Sequence, residues 1–99
     1  MTPKTLEPIH PGEILCEEFL EPLGLSVHAL AMALRVPATR LGAIVRGRRA
    51  ITPDTALRLA RYFGTSADLW VGLQSEYELR VARRALQARI EREVVPRSA

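Results

Sequence analysis

A chain of 99 residues, 47% hydrophobic and 25% charged, is the size of one domain whose modest core buries about 65% of the unfolded surface, a balance that excludes disorder. No apolar run approaches the roughly 18 residues that cross a bilayer, and the start MTPKTLEPIH lacks the apolar stretch of a secretory signal, so a cytoplasmic protein without membrane contact is expected. The single cysteine, Cys16, permits no internal disulfide and no cysteine zinc site, and reads as a small helix hydrophobe.

Alanine and leucine dominate, and turn signals recur every 10–20 residues, which predicts an all-α chain of five helices. The first opens at Pro11, with His10 before it as a possible cap, and runs to about Leu20, where Pro22 and Gly24 stop it. Its apolar face is Ile14, Leu15, Phe19 and Leu23. Ser26 caps the second helix, which carries Leu30, Ala31 and Leu34 and ends before Pro37. The third starts at Pro37 and ends at Gly47. Thr52, Pro53 and Asp54 start the fourth, whose buried face is Ala56, Leu57, Leu59, Ala60 and Phe63, and Gly64 ends it. Ser66 and Asp68 start a long fifth helix from Ala67 to about Arg92. Leu69, Leu73, Tyr77 and Val81 form one apolar stripe on it, and Leu79, Ala82, Leu86 and Ile90 form another. One stripe closes the core; the other is expected to make a homodimer, the alternative being a frayed, charged tail. Trp70 and Tyr77 are core or dimer-contact aromatics. The whole chain, 1–99, is read as a single domain, with 10–74 as its core and 75–92 as the dimer contact.

Charge is unevenly divided. Residues 1–34 carry a net −4, residues 65–99 a net +1, and residues 35–64 hold Arg35, Arg40, Arg46, Arg48, Arg49, Arg58 and Arg61 against Asp54 alone, a net +6. The middle third is therefore the part that would meet a polyanion. It contains the turn between the second and third helices, the spacing of a helix-turn-helix. On a wheel advancing about 100° per residue, Leu41, Ile44 and Val45 share the inward side. Thr39, Ala43 and Arg46 face outward, flanked by Gly42 on one edge and by Arg40 and Gly47 on the other. Small, polar and basic side chains there suit the major groove. Thr39 and Arg40, near the helix start, are candidates for base edges. Ala43 allows close approach, and Arg46, Arg48 and Arg49 are candidates for phosphates. With no Asn or Gln on this face, shape and backbone contact should carry much of the preference.

The stretches HPGEIL (10–15), FLEPLGLS (19–26), IVRGRRAITPDTALRLARYFGTSADLW (44–70) and LQSEYEL (73–79) resemble the HigA-type antitoxins, virulence-associated protein I among them, a branch of the Xre-like helix-turn-helix regulators. The resemblance runs from about Ile9 to Val81. It implies a lambda-repressor-like fold with an extended C-terminal helix. It also implies a homodimer that neutralises a cognate RelE-like ribonuclease toxin and represses their shared operon by binding double-stranded operator DNA. Ser26 to Arg46 fall on the family's helix-turn-helix. Three places depart from the family pattern: Val27 where many relatives have a polar residue, Arg35 at a turn position commonly held by Gly, and Gly42 and Ala43 where larger polar residues are common.

Two functions therefore compete, a DNA-binding repressor and a protein-binding inhibitor that uses the acidic face Glu13, Glu17 and Glu21 against a basic nuclease. A Xre-type repressor without a toxin partner is a further alternative. An enzyme is a poor third reading: His10 and His28 are the only imidazoles, and no nucleophile motif or phosphate-cradling loop accompanies them. No catalytic residue, cofactor or metal site is expected.

Overall fold

The computed structural model describes residues 7–98, among which five helices and no strands are found. We label them α1 (residues 11–23), α2 (Val27–Leu34), α3 (Ala38–Val45), α4 (Pro53–Phe63) and α5 (Ala67–Glu93). The starts obey local chemistry. His10 Nδ1 accepts from the Gly12 amide at 2.8 Å, Ser26 Oγ from Ala29, Thr52 Oγ1 from Thr55 and Ser66 Oγ from Leu69, each occupying one amide that a helix start leaves without a partner.

Helix α1 differs from its expected form. It does not stop at Leu20 but continues to Leu23, because Cys16–Leu20 form a π-helical turn in which the Glu21 amide bonds back five residues to the Cys16 carbonyl. The widened turn accommodates Pro22, which has no amide for a four-residue bond. The extra residue also rotates the last turn of the helix, so Leu20 enters the core while Leu23 is 63% exposed. Gly24, at φ 62°, closes the helix.

The core gathers Leu15 and Leu20 of α1, Leu30, Ala31 and Leu34 of α2, Leu41 and Ile44 of α3, Ala56 and Leu59 of α4 and Trp70 of α5, with Val36 and Ile51 from the connections. Phe19 packs against Phe63 and Trp70 at ring separations of 4.8 and 5.1 Å. Trp70 is thus a core aromatic, and its Nε1 donates to Thr65 Oγ1 at 2.9 Å. Two sequence expectations fail. Leu57 is exposed and Thr55 buried, since Leu57 lies about 100° from Ala56 and farther still from Leu59 on the wheel. On α5 the buried seam is Trp70 and Gln74 with Leu73 and Tyr77 half-buried, while Leu69 and Val81 stay exposed. Beyond Ala82 every described residue of α5 is exposed, Leu86 and Ile90 included.

Candidate nucleic-acid interface

Helices α2 and α3 are joined by a turn that closes α2 in the Schellman manner, with the Val36 amide bonded to the Ala31 carbonyl and the Arg35 amide to that of Met32. Such a closure needs a left-handed residue. Arg35 supplies it at φ 62° and ψ 42°, the only described non-glycine residue with positive φ. Arg58 braces this turn from α4: its Nη1 donates to the Leu34 carbonyl at 2.9 Å while its Nε pairs with Asp54 at 2.7 Å. One cation of the basic middle third is therefore spent on structure, a use that composition does not reveal.

Helix α3 turns Leu41 and Ile44 fully inward and half-buries Val45, as its spacing requires. Thr39 is exposed at its first turn, Arg40 and Ala43 are half-buried beside it, and Arg46, Arg48 and Arg49 are exposed at and beyond its end. Gly42 is buried rather than open. The Arg46 side chain folds back over it, so that a methyl group at Gly42 would sit 3.2 Å from Arg46 Nη1. Arg46 thus presents its charge one turn back along α3 and not with Arg48 and Arg49. No side chain caps the start of α3, where Pro37 occupies the cap position, which leaves first-turn amides open to an anion.

The ion pairs among the described residues use Arg58, Arg80, Arg84 and Arg89. Arg40, Arg46, Arg48 and Arg49 enter none of them, so the charge around α3 is not neutralised internally. A second Schellman closure ends α3: the Arg48 amide bonds to Ala43 at 2.8 Å and the Gly47 amide to Ile44 at 3.0 Å, with Gly47 at φ 77°.

Helix α1 sets where α3 lies. A methyl group at Gly12 would overlap the Ile44 carbonyl oxygen and lie 2.7 Å from its carbon, so only glycine allows the two backbones to touch. Two further residues reach the loop after α3. Gln74 Oε1 accepts from the buried Ile51 amide at 2.9 Å, while its Nε2 donates to Glu78 at 2.9 Å. The His10 ring lies against Gly47 and stands edge-on to Tyr77 at 4.8 Å. Burial lowers the His10 pKa, an effect that the nearby Arg49 backbone partly opposes. Gly12 and Gln74 carry no signal in a single sequence beyond a glycine and an amide near apolar stripes, and their partners are remote in the chain.

Residues 17–70 match the helix-turn-helix family model. Virulence-associated protein I of Dichelobacter nodosus is 56% identical over 80 residues, covering 81% of this chain and 74% of that protein. The chain belongs to the HigA-type antitoxin branch of the Xre helix-turn-helix family. Among solved structures, the Pseudomonas aeruginosa antitoxin HigA with higBA promoter is 52% identical with a TM-score of 0.89, covering 91% of this chain and 98% of that one. A HigA-family addiction module antidote protein from Coxiella burnetii is 46% identical with a TM-score of 0.88, covering 92% and 99%. These HigA-type relatives are antitoxins and regulators, not enzymes.

Proposed function

We propose that this HigA-type protein is the antitoxin of a type II toxin–antitoxin pair, which represses its own operon by binding operator DNA and neutralises a RelE-like ribonuclease toxin. The observation that carries the DNA-binding part is the set of exposed or half-exposed, unpaired arginines around a helix that turns Leu41 and Ile44 into the core. The existence of a relative solved with promoter DNA supports it. In this reading residues 10–74 form the DNA-binding core, Thr39 and Arg40 meet base edges, Ala43 permits close approach, and Arg46, Arg48 and Arg49 neutralise phosphates. The stripe of Leu79, Leu86 and Ile90, each more than a third exposed, pairs with a second copy over residues 75–92, as an exposed apolar stripe on a soluble helix favours. No described helix is long and apolar enough to cross a membrane, which fits a cytoplasmic regulator.

The deciding measurement is the salt dependence of binding to the DNA upstream of its own gene. Replacing Arg46 and Arg48 together by alanine should lower the log-log salt slope by about 1.8 per protomer, since each neutralised phosphate contributes about 0.9. Binding indifferent to that double change overturns the assignment. For the inhibitor part, the supporting feature is the exposed row Glu13, Glu17 and Glu21 on α1, which enters no ion pair among the described residues and suits a basic nuclease. Co-expression with the neighbouring gene's product should relieve growth arrest; continued arrest removes that part and leaves the repressor.

A further inference from the structure

We infer that His10 and Gln74 are positioning residues for nucleic-acid binding, holding the loop of residues 47–51 from behind so that Arg48 and Arg49 are presented in a fixed arrangement. This rests on the DNA-binding reading above. The loop's own hydrogen bonding runs out early, because the α3 closure ends with the Arg48 amide. Two side chains from outside hold the loop at its two ends, Gly47 and Ile51. His10 Nδ1 accepts from the Gly12 amide at 2.8 Å, which fixes the ring, and the ring lies against Gly47 at the start of the loop. Gln74 accepts from the Ile51 amide, and its own amide group is oriented by Glu78, the carboxylate taking the Nε2–H so that Oε1 faces the loop.

Both anchors lead to α5. Gln74 lies on that helix, and His10 rests edge-on against Tyr77, three residues further along the same side. The side chains of Arg48 and Arg49 are exposed and enter no ion pair among the described residues, so nothing at their tips immobilises them. What can be fixed in advance is the backbone that bears them. Fixing it before DNA arrives removes an ordering cost that would otherwise be charged against affinity.

The test uses the full chain and its own promoter DNA. His10→Asn keeps an acceptor for the Gly12 amide but lacks the ring that rests on Tyr77. Gln74→Met keeps the volume and loses the acceptor for Ile51. Each should weaken binding about tenfold and lower the log-log salt slope by about 1 per protomer, as one phosphate contact is lost. When Arg48 and Arg49 are already alanine, His10→Asn should cost less than about twofold, the non-additivity expected of residues acting through a shared contact. A residue that merely supports the fold would lower the melting temperature and leave the slope intact. An unchanged slope, or full additivity with the arginine changes, overturns the inference while the repressor reading stands. If the wild-type chain binds its promoter with no salt dependence, both fall. Should Gln74→Met fail to fold, His10→Asn alone decides.

Discussion

Arg35 ends α2 at φ 62° and ψ 42°, a conformation that costs an L-residue with a side chain about 1–2 kcal/mol relative to the right-handed region. Glycine escapes that cost but gives back about 0.5–1 kcal/mol through its greater freedom in the unfolded chain. Arg35→Gly should therefore stabilise the protein by about 0.5–1 kcal/mol. The Arg35 side chain is exposed and enters no ion pair among the described residues, and the brace from Arg58 lands on the Leu34 carbonyl, so neither is lost with it. For a domain of this size the gain corresponds to a melting temperature raised by about 2–8 °C, measurable by calorimetry or by circular dichroism with a matching shift in urea midpoint. Arg35→Ala is the control. It keeps the left-handed cost while removing the charge, and should leave stability within about 0.5 kcal/mol of the parent. If Arg35→Gly melts at or below the parent temperature, or if the alanine variant gains as much as the glycine one, the strain argument is wrong.

Gly12→Ala should cost about 3 kcal/mol or more, because the added methyl group overlaps the main chain at Ile44 and no rotamer can relieve a clash between backbones; a loss under 1 kcal/mol in urea titration would refute it. The His10 pKa lies below its ordinary value of 6.5, so the folded protein binds the proton less readily than the unfolded chain. Stability should be level above about pH 6.5 and fall as pH drops through that value toward the lowered one, with His10→Asn flattening this portion of the profile. A histidine contribution that grows on acidification would show that the shift has the opposite sign.

Local chemistry was legible in the sequence wherever a residue acts on its own neighbours. Ser26, Thr52 and Ser66 cap the helices directly after them, Gly24, Gly47 and Gly64 take left-handed conformations, and three apolar positions define the inward side of α3. Features that depend on remote partners were hidden. Leu69 and Val81 belong to a stripe that looks continuous in sequence, yet the buried seam runs through Trp70, whose ring packs against Phe19 of α1. Arg58 counts as positive charge in any composition, while its guanidinium serves a carbonyl 24 residues away. On α3 the spacing of Leu41, Ile44 and Val45 shows which side faces the core, but burial of Gly42 under Arg46 could not be foreseen from a wheel that treats side chains as spokes.

The direct abutment of main chain on main chain at Gly12 and Ile44 bears on how such a protein can diversify. Where two helices are spaced by side chains, each change of volume shifts the angle between them. Here the spacer is a carbonyl group, which every amino acid at position 44 possesses. The seating of α3 is to that extent insulated from mutation along its own length, and outward positions such as Thr39 and Ala43 are free to drift without unsettling the rod that carries them.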